Sequence, residues 1–153
     1  MQLLRLVYFS TNTVAGSGAV AANLKQILKS SIRNNLAAGI TGGLLFNRNY
    51  FVQVLEGERS DLLRVFTRIS VDPRHEDVVL VEQRPVNSRI FGAWSMGFAG
   101  RTELFDQMVL RFCPLGKFDP RAMTSDQLTD FTLEMVTKEN GIVSAPASVL
   151  VAI

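Results

Sequence analysis

Apolar residues recur along this chain with two periods, close to two and close to three and a half, and the switches between them predict its elements. From Leu3 to Ser10, Leu4, Leu6 and Tyr8 fall on one face and Leu3, Arg5, Val7 and Phe9 on the other. A strand that is apolar on both sides apart from Arg5 belongs in the middle of its sheet. After a Thr-, Asn-, Ser- and Gly-rich loop in which Ser17 is a candidate cap, Val20, Leu24, Ile27 and Leu28 take helical spacing from Ala19 to about Arg33. Ala37-Ala38-Gly39 closes that helix, with Gly39 suited to a left-handed cap. Past Ile40-Thr41-Gly42-Gly43, Leu44-Leu45-Phe46 reads as a second strand, joined through the turn Asn47-Arg48-Asn49 to a third over Tyr50 to Gly57. Gly57 to Ser60 reads as a turn, and Leu62, Val65, Phe66 and Ile69 predict a second helix from Asp61 to about Val71, ended by Asp72-Pro73. Val78 to Glu82 and Ser95 to Phe98 supply two more strands, with Trp94, Met96 and Phe98 alternating onto a common face. Leu104 to Phe112 and Asp126 to Lys138 predict two further helices, the second opened by a capping box of Thr124 with Gln127 and carrying the stripe Leu128, Phe131, Met135 and Val136.

Two departures from apolar patterning carry the chemistry. In the third strand Tyr50, Val52, Val54 and Glu56 share one face while Phe51, Gln53 and Leu55 share the other, so the amide of Gln53 stands between two large apolar neighbours. A primary amide buried unpaired is costly, so something polar must lie opposite it. In the first helix the apolar stripe through Ile27 continues into Ser31 and Asn34 or Asn35, so its core-facing side turns polar at the C-terminal end. The order strand, helix, strand, strand, helix, strand, strand predicts an α+β, ferredoxin-like βαββαββ mixed sheet with both helices on one face, two C-terminal helices added, and strands one and three side by side and parallel. Tyr8 and Gln53 then both point toward the gap between the helices. An apolar cleft holding a phenol, a carboxamide, a hydroxyl and asparagine amides suits a flat heteroaromatic ligand better than a metal or a lone phosphate.

Composition narrows the classes further. With 153 residues, 47% of them hydrophobic, the chain suits one domain with a real core. A formal charge of +2, from 16 basic and 14 acidic residues without a polybasic run, calls for neither nucleic acid nor an anionic membrane. A lone Cys113 excludes an internal disulfide, and the absence of a signal peptide ahead of Leu3 points to the cytoplasm. His75, the one histidine, lies in a polar stretch that predicts a solvated side chain, and the cleft offers no acid–base pair, cysteine nucleophile or metal cluster.

Six segments, Leu6-Val7-Tyr8-Phe9-Ser10, Ser31-Ile32-Arg33-Asn34-Asn35, Gly39-Ile40-Thr41-Gly42, Phe51-Val52-Gln53-Val54-Leu55-Glu56-Gly57, Asp72-Pro73-Arg74-His75 and Trp94-Ser95-Met96-Gly97-Phe98, occur in order and at family spacing. Together they resemble the BLUF domain, a blue-light sensor using FAD. The resemblance implies a flavin-binding domain over residues 1–100 and a C-terminal helical extension over residues 101–153 that packs on it. It implies FAD, with FMN or riboflavin as alternative flavins, held by Asn34 and Asn35 with Ser31 nearby, by Ile27 and Ile69 as apolar plates, by Phe51 as a further wall, and by Arg68 and Asp72. It also implies that Tyr8 and Gln53 are the photoactive pair, that Met96 and Trp94 compete for the place beside Gln53, and that Gly43, where the family more often carries Leu, loosens packing beside the ring.

The implied function is a light sensor, not an enzyme, that signals through its last strand and C-terminal helices to a partner protein or through its own homo-oligomer. A flavin-dependent enzyme on a ferredoxin-like scaffold is the alternative, and a ligand-free dimerisation module a third reading. Rapid flavin turnover with a reduced nicotinamide would mark the second, and a protein colourless even after FAD is added would mark the third.

Overall fold

The computed structural model describes residues 2–13, 20–73, 75–100, 102–113 and 115–140, without the side chains of 20–25, 27 and 102. Ser17, the candidate cap, lies outside the described residues, as do the side chain of Ile27 and residues 141–153 of the C-terminal extension. The elements follow in the order β1 (Leu3–Asn12), α1 (Val20–Ala38), β2 (Thr41–Phe46), β3 (Tyr50–Glu58), α2 (Arg59–Ser70), β4 (His75–Pro85), β5 (Gly97–Ala99), α3 (Thr102–Phe112), a 3₁₀ turn at Pro120–Ala122, and α4 (Ser125–Asn140).

The strands form one sheet in the order β4-β1-β3-β2-β5. β1 and β3 are neighbours, but they run antiparallel, with Tyr8 directly opposite Gln53, where the pattern predicts a parallel pair. Connectivity explains the correction. The α1 crossover leaves β1 and β2 running the same way, and β3 returns from β2 through a hairpin into the gap between them, opposite to both. The sheet is still mixed, because β5 joins the far edge parallel to β2. At the other edge β4 pairs with β1 through register shifts, with Asp77 in the left-handed region at φ 53°.

Three boundaries move for reasons of close approach. β2 starts at Thr41 and takes in Gly42 and Gly43, because backbone and rings press against both: a Cβ at Gly42 would lie 2.2 Å from the Val54 carbonyl oxygen, and one at Gly43 2.7 Å from the Phe91 ring. The turn predicted for Gly57 to Ser60 is absent. β3 runs to Glu58, which caps α2 at once by accepting from Ser60 N. β4 begins at His75, so that residue belongs to a strand and not to a loop. Gly39 ends α1 at φ 67°, and the Thr124–Gln127 capping box forms reciprocally at 2.9 and 3.1 Å, as their residue types demand.

Each face of the sheet has its own core. α1 and α2 cover Leu4, Leu6, Tyr8, Leu44, Phe51, Leu55 and Met96. α3 and α4 cover Val7, Phe9, Leu45, Val52, Val54, Phe91 and Trp94. Trp94 and Met96 thus lie on opposite faces instead of the common one their spacing predicts, because both precede β5, where backbone alternation does not yet hold. Gly43 faces α4 too, against Phe91 and Val136, so its missing side chain makes room for that helix and not for a ring between α1 and α2.

Candidate functional site

The site is built from β1 outward. Tyr8 and Gln53 are each only 3% exposed, and the register that sets them opposite one another lets the Tyr8 hydroxyl donate to Gln53 Oε1. The other end of the amide, Nε2, approaches the Met96 sulfur at 3.4 Å. A thioether is a weak acceptor, so one of the two strongest donors on this face has little to satisfy it within the protein. Burial, reinforced by the negative charge of Asp72, pushes the Tyr8 phenol far above its ordinary value. At neutral pH Tyr8 is therefore held as a hydrogen-bond donor, and Gln53 Oε1 as its acceptor.

Beside this pair lies a narrow slot lined by Tyr8, Ser31, Leu44, Phe51, Gln53, Ile69, Asp72 and His75. Its empty volume, continuous with solvent, is about 400 Å³. Leu44, Phe51 and Ile69 give it apolar walls, while the amide, phenol, Ser31 hydroxyl and Asp72 carboxylate give it a polar edge. Of the residues predicted to form the site, Tyr8, Ser31, Phe51, Gln53, Ile69 and Asp72 are thereby brought together, with Met96 in contact through Gln53.

Others fall elsewhere. Asn35 is buried but donates from Nδ2 to the Ser95 carbonyl at 2.8 Å, tying α1 to the segment before β5. Asn34 is half-buried and Arg68 exposed, and neither lines the slot. Trp94 is on the other side of the sheet.

His75 is the residue the sequence reading misassigns. It is half-buried, not solvated, and lines the slot. Nε2 lies 2.7 Å from the Ile69 carbonyl, which can only accept, so Nε2 carries a proton; Nδ1 lies 2.7 Å from Oγ of the fully buried Ser10. The ring stands edge-on to Tyr8 and Phe51, at centroid separations of 6.2 and 6.1 Å. It joins the start of β4, the C-terminal part of β1 and the end of α2 at the wall of the slot. The signal available in the sequence was its position directly after Asp72-Pro73-Arg74, where the helix has ended and the next strand must begin.

The donor set fits a planar heteroaromatic group with a polar edge: apolar walls and a buried amide whose Nε2 approaches a sulfur among the described residues. Among the described residues no group of three or more His, Cys, Asp or Glu is arranged to hold a metal ion, and no helix is long and apolar enough to cross a membrane.

Comparison with known proteins agrees with that chemistry. A family model described as sensors of blue light using FAD, the BLUF domain, matches residues 3–97. The chain belongs to this family, a photosensory one whose cofactor is FAD. It is 35% identical over 94 residues to the photoactivated adenylate cyclase subunit beta of Euglena longa, an alignment that covers 61% of this chain and 10% of that protein. The chain thus spans about a tenth of the length of the curated relatives it matches. Among solved structures it superposes on the photo-activated state of BlsA with a TM-score of 0.78 at 27% identity, covering 88% of this chain and 94% of that one. It superposes on the dark state of BlrB, a BLUF protein, with a TM-score of 0.71 at 29% identity, covering 90% and 97%.

Proposed function

We propose that this chain senses blue light through the Tyr8–Gln53 pair and passes the change to a partner protein, or to a second copy of itself, through the segment leading into β5 and the helices α3 and α4. The observation that carries the reading is the Tyr8 hydroxyl donating to Gln53 Oε1 at the wall of a slot with apolar sides. Leu44, Phe51 and Ile69 would grip the flat ring system of FAD, with Ser31, Gln53 and Asp72 toward its polar edge. Ile27, Asn34, Asn35 and Arg68 remain candidate contacts on the family resemblance alone. When bound, the flavin supplies absorption of blue light and, while excited, a strong demand for an electron.

Tyr8 would be the residue placed to meet that demand, because its hydroxyl proton faces the Gln53 oxygen and would have an acceptor there were the phenol to give up an electron. Gln53 is the element that changes. Its two ends are nearly alike in shape and opposite in hydrogen-bonding character, so a half-turn or a tautomerisation exchanges donor for acceptor without altering the packing. Met96 then meets an oxygen where it met an N–H, and the segment from Trp94 to Ala99 is the path by which that difference reaches α4. In this reading residues 1–100 form the sensing domain and residues 101–153 the output extension.

Absorption spectra before and after blue illumination test this. The flavin-loaded protein is expected to shift to longer wavelength and recover in the dark, and Tyr8→Phe to keep its flavin and lose the shift. A full shift in Tyr8→Phe would overturn the assignment of Tyr8.

A further inference from the structure

Glu56 lies on β3 three residues beyond Gln53, on the opposite face of the sheet, and is completely buried. A carboxylate taken out of water costs several kcal/mol unless its lone pairs are met. Here three donors meet both oxygens: Arg5 Nε at 2.9 Å, Ile90 N at 3.0 Å and Phe91 N at 2.7 Å. Arg5 is itself buried, so the pair holds its geometry without competition from solvent.

Two of those three donors belong to the irregular connection between β4 and β5, and that connection ends at the light-sensing pair. Just before them Arg89 donates to the Thr41 hydroxyl at 2.9 Å, to the Glu56 carbonyl at 3.0 Å and to the Gly39 carbonyl at 2.9 Å. The Phe91 ring then fills the space left by Gly43. Further on, Gly42 N donates to the Trp94 carbonyl at 3.1 Å, and Met96 reaches Gln53. The connection is thus fastened to β3 twice, with unequal strength. At Glu56 it is held by hydrogen bonds to a charged group, which are roughly twice as strong as neutral ones, and at Gln53 by a weak contact to sulfur. Between these two points the backbone is held by neutral bonds, Gly42 N donating to the Trp94 carbonyl and Asn35 Nδ2 to the Ser95 carbonyl, so Glu56 is the charged anchor of the connection and the Met96 side chain its lightly held end.

We propose that Glu56, fixed by Arg5, is a positioning residue that anchors the 89–96 connection and so sets the barrier between the two arrangements of Met96 at Gln53, and with it the lifetime of the light-induced state. This rests on the photoreceptor reading above. Loosening the clamp lets the whole connection move with Met96, which lowers the barrier and speeds dark recovery without touching the pair that produces the spectral shift.

The test is the dark recovery of the flavin-loaded full chain after a pulse of blue light, for Glu56→Gln and Arg89→Ala, each with and without Met96→Leu. Both single variants are expected to keep the spectral shift of the parent and to recover about fivefold faster or more, the effect of about 1 kcal/mol from weakening the buried bonds to the Glu56 carboxylate in one and removing the three partly exposed bonds of Arg89 in the other. In the Met96→Leu background neither should add more than about twofold, because the contact whose motion they control is gone. Recovery at the parent rate, or equal acceleration with and without the sulfur, overturns the proposal. Arg89 is exposed, so its variant carries the test alone if Glu56→Gln does not fold. A parent protein with no light-induced shift would overturn the photoreceptor reading and this proposal together, whereas a normal shift with unchanged recovery in both variants overturns this one only.

Discussion

The two faces of one sheet are built to opposite standards. Against α4 the packing is tight: Leu128, Phe131, Met135 and Val136 are fully buried, and Gly43 and Gly97 sit side by side on β2 and β5 so that Val136 can approach the backbone. A Cβ at Gly97 would lie 2.3 Å from Val136 Cγ1. Against α1 and α2 the same strands carry a phenol, a carboxamide and a slot between the helices. The difference is a division of labour. Dense packing on one side supplies the cohesion that lets the other side hold buried polar groups and unfilled space. The tight side bears a cost of its own, about 1–3 kcal/mol for each buried polar group without a partner: among the described residues these are the hydroxyls of Thr129 and Thr132 and the indole N–H of Trp94.

That contrast can be broken most directly by cutting both faces. Phe131→Ala should destabilise the protein by about 3–5 kcal/mol in urea unfolding, while Ser31→Ala, at the slot wall, should stay within about 0.5 kcal/mol. Equal losses would mean that the slot is as much a part of the core as α4. A smaller effect is expected from Gly97→Ala, at about 1–3 kcal/mol, because Val136 and the Trp94 ring must both give way to one methyl group. An unchanged unfolding midpoint would show that the helix seats less closely than its geometry says.

The third test concerns the polar side. The native Tyr8 phenol holds its proton well above the ordinary value of 10.0. Below that pH both folded and unfolded chains are protonated, and the group contributes no pH dependence. Above it the unfolded chain gives up the proton first, so stability falls by about 1.4 kcal/mol per pH unit from this one residue. Unfolding of the flavin-free protein between about pH 9 and about pH 11 should show the steeper alkaline loss in the parent and the shallower one in Tyr8→Phe. Parallel slopes would mean that water reaches the phenol.

Much of this was legible in the residues because local and global preferences agree. The α4 stripe, its capping box, the left-handed Gly39 and the odd amide at Gln53 each announce themselves within a few positions. What stayed hidden depends on partners far along the chain. Glu56 alternates like any solvent-facing residue of an edge strand, and only the return of Ile90 and Phe91 reveals it as buried. Gly42 and Gly43 read as a loop because the atoms that forbid a side chain there belong to Val54, Phe91 and Val136. His75 reads as solvated because Ser10 and the Ile69 carbonyl are not its neighbours in sequence. The antiparallel sense of β1 and β3 was not hidden in this way: the crossover sets β2 parallel to β1 and the hairpin turns β3 against both, so it follows from the order of elements alone.

The position of Trp94 has a practical corollary. It is the single tryptophan of the chain, and it lies beneath α4 with its ring tilted against that of Phe91, across the sheet from Tyr8 and Gln53. Its ultraviolet emission in the flavin-free protein is therefore a built-in gauge of whether α4 stays seated, one that needs no attached dye and reports on the α4 side of the sheet alone.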